Sequence, residues 1–497
     1  MAECTLIIKD FVNCVFKGLD PLTRKHFSNA LKFSNPTARF SPKFKLGRWD
    51  GKVAFGTLGG ATQINLLDRV IPLIMEAGYE IEIEDHRPDL NIVFPVIEDD
   101  ELAEFCWPAT HRLAGEPIML MDHQVTAINT YFTNQQSIQS ISVGAGKTII
   151  CAAISRKVEQ ITGGRTLVIV PSKTLVLQTE EDYLNIQLDV GVYYGDRKDV
   201  PDPTVLKKIK NKKHLICTWQ SLVKLAKMSK EPNAKYTITE LLEDVTCVIV
   251  DECHTIKGAE LRDLLCNHMS FVPLRWGMTG TIPKEEYQFI CLVSAIGEIV
   301  GEIKTVELQE LGLLAGCHIS IVQLNDDHVE YPDYESEHAF LLKDKNRLRW
   351  IAEWCDEISK TGNTIIFVDR IETGEMLESL IPDSVFVSGK DSVKTRKAEY
   401  DGIQSGTNKK VIATYGVAST GINIPRIFNL IALESGKSYE RIFQTFGRSL
   451  RLAIDKVSAN IFDVCSNMKF SKRHLAKRKA MYREAGFKFT MDKVNYR

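Results

Sequence analysis

Three short stretches carry residue types that could do chemistry together. The first, Ser142-Val143-Gly144-Ala145-Gly146-Lys147-Thr148, is a glycine-bearing turn that runs into an apolar-periodic helix through Ile149, Ile150, Ala153 and Ile154. Backbone N–H groups of such a turn can approach phosphate oxygens closely, and the helix dipole behind them favours an anion. Lys147 can then reach the β/γ-phosphates, while the Thr148 hydroxyl can ligate Mg²⁺. The stretch reads as a P-loop for ATP, although Ile141 stands where the strict pattern asks for its first glycine. The second stretch is Asp251-Glu252-Cys253-His254, just past the apolar run 247–250. There Asp251 can hold Mg²⁺, directly or through water, and Glu252 can orient and deprotonate an attacking water. The third is Gln444-Thr445-Phe446-Gly447-Arg448-Ser449-Leu450-Arg451 on an expected helix. Arg448 and Arg451 share one helix face, and their fixed charges suit a transferring γ-phosphoryl group. Each stretch alone has a bland reading as a helix start, a solvated acidic loop or a pair of surface ion pairs. Their presence on one chain favours the catalytic one. Upstream, Gln124 in Met121-Asp122-His123-Gln124 offers an amide able to donate to and accept from an adenine edge.

These residues need a parallel sheet to position them. Apolar runs at 137–141, 166–170, 214–218, 247–250 and 276–278 alternate with helical patterns, as in a sheet covered on both faces. The first run is unusually polar, with Gln139 inside it. A second alternation follows from about 313, with strands expected at 319–324, 364–368, 385–387, 410–414, 429–433 and 459–463 and an acidic insertion at 326–337. Residues 1–110 read as a small α/β module with strands at 5–8 and 80–83, helices at 22–33 and ending near 77, and a hairpin over 40–52. The expected organisation is therefore an accessory module (1–110), two α/β lobes (111–312 and 313–466) and a basic C-terminal tail (467–497).

Composition sets the outer limits. The 497 residues are 44% hydrophobic and 25% charged, ordinary for a globular chain of several domains. No long apolar run or signal-like N-terminus is present, so a cytoplasmic protein with no membrane partner is expected, in a host cytoplasm if phage-encoded. The twelve cysteines include no C-x-x-C pair and read as buried reduced thiols. The net charge of -2 conceals a tail with ten basic residues and two acidic ones, among them Lys472 and Arg473. In the 40–52 stretch, Lys43, Lys45, Arg48 and Lys52 are interleaved with Phe40, Phe44 and Trp49, a pattern that suits phosphates and bases as well as it suits a solvated edge hairpin.

Taken in order, these motifs resemble the superfamily 2 helicases and translocases of the DExH type. Val170-Pro171-Ser172-Lys173 and Thr218-Trp219-Gln220-Ser221 look like that family's strand-binding motifs, and Thr279-Gly280-Thr281 like its coupling motif. Ala413-Thr414 through Ser419-Thr420-Gly421-Ile422-Asn423-Ile424-Pro425 looks like its fifth motif, with Asn423 where many relatives carry Asp. The 40–52 stretch ahead of the core is similar to the accessory domain of phage recombination helicases that remodel branched DNA. The resemblance implies two tandem RecA-like lobes with ATP·Mg²⁺ in the cleft between them. It makes Lys147, Asp251, Glu252, Gln444, Arg448 and Arg451 the catalytic set and Ser142–Thr148, Gln124 and Gly421 nucleotide contacts. Ser172, Thr218, Trp219 and Thr414, with Lys43, Lys45, Arg48, Trp49, Lys52, Lys472 and Arg473, become the expected DNA contacts. It implies a monomeric ATP-dependent helicase on branched DNA; an RNA helicase and an ATP-gated clamp without translocation are the alternatives.

Overall fold

The computed structural model describes residues 2–109, 111, 113–195, 209, 211–234, 236–326, 330–391, 398–399, 402–403, 406–418, 426–436 and 458–496. The chain divides into two compact units, residues 1–141 with 146–302, and residues 303–497 with 142–145. Among the described residues no helix is long and apolar enough to cross a membrane.

The first unit begins with the small module. Strands β1 (Ala2–Ile8) and β2 (Asn13–Lys17) pair antiparallel across a turn in which Asp10 accepts from the Val12 and Asn13 amides. Helix α1 (Pro21–Ala30) starts where the sequence marks it, with Asp20 accepting from the Leu22 and Thr23 amides and proline in the first turn. Strands β3 (Lys32–Ser34) and β4 (Lys52–Ala54) form a separate antiparallel pair. With β5 (Ala61–Gln63) and β6 (Tyr79–Asp85), the main sheet runs β5-β2-β1-β6.

The hairpin expected over 40–52 is not formed. The β3–β4 connection instead folds into a 3₁₀ turn (Ala38–Phe40) and a short helix (Pro42–Lys45). Pro42 cannot donate to a strand ladder but suits a first helical turn. Gly51, at φ +77°, closes this knot rather than turning a hairpin: a Cβ there would lie 2.9 Å from the Phe44 ring.

The module shares its core with the rest of the first unit. Phe16, Phe27, Leu31 and Phe33 cluster with Tyr287, Ile290, Cys291 and Val293 of the helix Glu286–Ala295. Polar contacts cross the same boundary, with Asn13 Nδ2 donating to the Cys266 carbonyl at 2.8 Å and the Phe11 amide to Ser270 at 3.0 Å. The acidic passage near residue 100 is also docked: Glu101 pairs with Arg156 at 3.3 Å and Lys157 at 2.6 Å.

Beyond it come helix α2 (Asp122–Thr133), β7 (Gln136–Ile141), helix α3 (Lys147–Thr162), β8 (Arg165–Val170), β9 (Val190–Tyr193) and β10 (His214–Thr218). Strands β11 (Val245–Asp251), β12 (Leu274–Thr279) and β13 (Glu298–Ile303) complete a seven-stranded sheet ordered β13-β7-β12-β11-β8-β10-β9. Every pair from β7 to β9 in that order is parallel. β8 and β10 are buried along their whole length, which is why they read as near-continuous apolar runs. The polar β7 is accounted for by Gln139, whose amide donates to the Ala127 carbonyl of α2 at 2.7 Å.

In the second unit, β14 (Gly316–Leu324), β15 (Thr364–Val368), β16 (Ser384–Val387), β17 (Lys410–Thr414), β18 (Asn429–Leu433), β19 (Ser458–Ser466) and β20 (Phe489–Val494) form the sheet β16-β17-β15-β18-β19-β14-β20. All its pairs are parallel. Two parallel-sheet lobes preceded by a small α/β module are thus the architecture of the chain.

Two sequence expectations change here. Residues 467–497 are not a tail. Helix α4 (Lys469–Glu484) packs through buried Leu475, Arg478 and Tyr482, and β20 pairs with β14. Nor is 326–337 simply an acidic insertion. Asp326 and Glu337 are buried, and Glu337 accepts from the Phe470 and Ser471 amides at the start of α4, where a carboxylate meets unpaired N–H groups and the favourable dipole end. All twelve cysteines are free thiols; ten are buried, Cys317 is half-buried and Cys106 exposed.

Candidate active site

The strand order β7-β12-β11 sets three carboxyl ends side by side. They carry the 142–146 turn, Thr279 and Asp251 respectively. Ligands of an open α/β sheet bind at such an edge. The next two strands, β8 and β10, are neighbours with Val170 paired to Thr218, so Ser172 and Thr218 follow at adjacent strand ends.

Helix α3 begins at Lys147 behind Gly146, whose φ of 81° and ψ of 37° lie in the left-handed region. Only glycine fits: a Cβ there would stand 2.3 Å from Gln124 Nε2. Gln124 is buried against this turn, and its Oε1 accepts from the Met121 amide at 3.0 Å. Lys147 Nζ donates to Glu252 Oε1 and to the Ile141 carbonyl, both at 3.3 Å.

Glu252 sits at φ 50°, ψ 50°, a left-handed conformation that is costly for a residue with a Cβ. Its amide donates to Asp251 Oδ1 at 2.9 Å. On its other side Oε2 accepts from the Thr279 hydroxyl and lies against His254 Nδ1, each at 3.2 Å. His254 Nδ1 and Thr279 Oγ1 are 2.8 Å apart, and the Thr281 amide donates to Thr279 Oγ1 at 3.2 Å. Lysine, glutamate, histidine and threonine from three sequence stretches therefore form one hydrogen-bonded cluster.

Its two carboxylates are tuned apart. Burial pushes Asp251 up to about 6, against the opposing pull of Lys147. Burial also works against charge on Glu252, but the nearby Lys147 and His254 outweigh it and hold that carboxyl far below the usual range. Among the described residues no group of three or more His, Cys, Asp or Glu side chains could hold a metal by itself. A single carboxylate is what Mg²⁺ needs when a phosphate chain supplies further oxygens. The Thr281 hydroxyl, two residues beyond Thr279, is buried without a hydrogen-bond partner, a spare polar group that a ligand could use. Asp251 and Thr148 fit a phosphate-bound magnesium on these grounds.

The remaining expected residues are distributed as follows. Ser172 caps the helix Lys173–Asn185, its hydroxyl accepting from the Leu175 amide at 3.4 Å. Thr218 is buried with its hydroxyl 2.8 Å from that of Ser221, and Trp219 packs against the lobe's core. Thr414 ends β17, half-buried. Lys43, Lys45, Arg48, Lys52, Lys472 and Arg473 are exposed. Trp49 is half-buried and its indole N–H donates to the Lys52 carbonyl at 2.7 Å. Gly421, Asn423, Gln444, Arg448 and Arg451 lie outside the described residues. Sequence reasoning did not anticipate His254 as a partner of Glu252 and Thr279; its place directly after the acidic pair was the available signal.

Residues 117–284 match the family model of the type III restriction enzyme res subunit, and 346–453 match the helicase conserved C-terminal domain. Together the two matches take in more than half of the chain. It belongs to the superfamily 2 helicases. The second match includes Gln444, Arg448 and Arg451 within its bounds. Among curated superfamily 2 relatives, the chain is 24% identical to the ATP-dependent DNA helicase UvsW of Enterobacteria phage T4, over 86% of this chain and 83% of that protein. It is 21% identical to the DNA 3'-5' helicase XPB of Mycobacterium tuberculosis, over 78% and 70% of the two chains. Among solved structures, the type ISP restriction-modification enzyme LlaBIII bound to DNA shares the fold with a TM-score of 0.58 and 14% identity, covering 86% of this chain and 36% of that one.

Proposed function

We propose that this helicase is an ATP-driven DNA motor that unwinds or migrates branched duplexes. The observation that carries the reading is the Lys147–Glu252–Thr279 cluster at three adjacent strand ends. The contacts of Lys147 and Thr279 with Glu252 support reading them as a phosphate-reaching cation, a water-activating carboxylate and an orienting hydroxyl from a third motif. In the proposed cycle Lys147 leaves Glu252 to hold the β/γ-phosphates. Glu252, kept oriented by Thr279 and His254, then accepts the proton of the attacking water. Asp251 and Thr148 hold the magnesium, which when bound neutralises phosphate charge. Gln444, Arg448 and Arg451 are the proposed partners of the γ-phosphoryl group.

Ser172, Thr218, Trp219 and Thr414 are the proposed strand contacts. Backbone gripping needs no base readout, so binding should be sequence-tolerant and weaken steeply with salt. The exposed bases of the knot and of α4 supply further phosphate contacts. The likeness to a phage DNA helicase along most of both chains supports DNA as the substrate.

Steady-state ATPase without nucleic acid and with single-stranded DNA, duplex DNA, a four-way junction or structured RNA, all at one salt concentration, tests the proposal. Strongest stimulation by the junction is expected. Strongest stimulation by RNA overturns it.

A further inference from the structure

Away from the nucleotide site, the knot on the β3–β4 connection presents an unusual surface. Phe40 is 67% exposed, Leu46 65% and Phe44 40%. Exposed apolar side chains are ordinary when scattered; grouped on one short connection they call for a partner. Phe44 has a partner, since its ring lies over Gly51. Trp49 is half-buried with its indole N–H bonded within the knot. Phe40 and Leu46 are left facing outward, with the Arg39 guanidinium 4.8 Å from the centroid of the Phe40 ring.

Charge identifies the partner. Arg39, Lys43, Lys45 and Arg48 are exposed around these two side chains, and among the described residues no carboxylate pairs with them. The acid of the knot, Asp50, is already engaged by Lys32 Nζ at 2.8 Å and the Lys52 amide at 3.0 Å. The backbone beneath is fixed by successive bonds: Ser41 N to Ala38 O at 2.8 Å, Leu46 N to Pro42 O at 3.0 Å, and Arg48 N to Lys43 O at 2.9 Å.

We propose that residues 38–49 form a wedge that seats at a DNA branch point, with Phe40 and Leu46 against exposed base-pair faces and Arg39, Lys43, Lys45 and Arg48 on the flanking phosphates. The inference rests on the DNA reading above and names the structure recognised. Basic side chains alone would serve to hold an intact duplex. Apolar side chains gain only where a base face is available, and proteins that insert Phe or Leu between base steps must unstack them. At a branch the end pairs stack only across the strand exchange, where no continuous duplex holds them together, so the wedge opens that step at less cost than a step within an arm. Leu46 discriminates further, because an aliphatic side chain has nothing to gain from the charged backbone.

The test uses the full chain and a four-way junction carrying 2-aminopurine either at the branch point or in mid-arm. Phe40→Ser/Leu46→Ser is compared with Leu58→Ser, an apolar residue 64% exposed in the same module but outside the knot. Without ATP, the parent protein should raise fluorescence at the branch point and not in the arm. The double variant should lose that rise and displace strands about tenfold more slowly, the scale of one or two lost stacking contacts, with single-strand-stimulated ATPase unchanged. A double variant that keeps both the rise and the unwinding rate overturns the wedge, as does an equal loss in Leu58→Ser. If DNA fails to stimulate the parent protein at all, the DNA reading falls and the wedge with it.

Discussion

Lys147 Nζ lies 3.3 Å from Glu252 Oε1, so the proposed phosphate-holding cation rests on the proposed water-activating carboxylate. Lys147 helps hold Glu252 in its charged form, and ATP must compete with Glu252 for the lysine. Glu252→Gln removes the competitor along with the base. We expect kcat to fall by about 10²- to 10⁴-fold, with ATP binding retained or tightened, whereas Lys147→Ala should weaken binding as well. Fluorescent-nucleotide titration beside steady-state ATPase separates the two, and near-normal turnover in either variant would contradict the assignment.

Asp251 imposes a cost that a neutral residue would relieve. Its folded-state carboxyl is raised to about 6 by burial, above the unfolded value, so the protonated form is favoured in the fold. Stability is therefore lost as pH rises through that window, since the unfolded chain releases the proton first. Asp251→Asn should stabilise the nucleotide-free protein by on the order of 3 kcal/mol at pH 8, and the difference should vanish below about pH 3, where both side chains are neutral. Thermal melts in chelator across pH measure this. The same variant should lose Mg²⁺-dependent ATPase.

Thr279 links two motifs through one hydroxyl, which touches Glu252 and His254 and accepts from the Thr281 amide. Thr279→Val keeps the shape and removes these bonds. With the hydroxyl in the proposed role of orienting Glu252, kcat should drop about tenfold, the worth of one hydrogen bond to a charged group, with ATP affinity unchanged. Thr279→Ser should restore the rate. A loss of affinity with kcat intact would make Thr279 a nucleotide contact instead.

The sequence made the sheets legible because a strand buried on both faces must be apolar, and 214–218, 364–368, 410–414 and 429–433 begin and end where their runs do. Elements at the edges were missed. β9 is four residues long, and β20 alternates within a stretch dominated by lysine and arginine. Motif letters located Lys147, Glu252 and Thr279, but their contact depends on β12 lying between β7 and β11, which no local pattern encodes. The 40–52 hairpin failed for a local reason: Asp50-Gly51 is a turn signal, and Pro42 decided what it turned. Charge density hid the fold of the C-terminus, because a basic run reads alike whether all or most of its members are solvated.

Arg478 shows the consequence. It is buried, with Nε and Nη2 donating to Asp463 at 2.8 and 2.9 Å and Nη1 to the Gly436 carbonyl at 2.5 Å, while the Tyr482 hydroxyl reaches the same carboxylate at 3.0 Å. Arg478→Met would leave Asp463 charged, fully buried and short of its partner, a loss of about 3–5 kcal/mol. The neighbouring exposed Arg473→Met should cost less than about 0.5 kcal/mol. Chemical denaturation of both variants checks the difference. A chain ending at residue 467 should fare worse than either, since it removes α4 and β20 and bares the β14 edge. If that truncation kept the full chain's oligomeric state and melting profile, the C-terminus would be the dispensable tail its composition suggests, and the burial of Arg478 would have no bearing on stability.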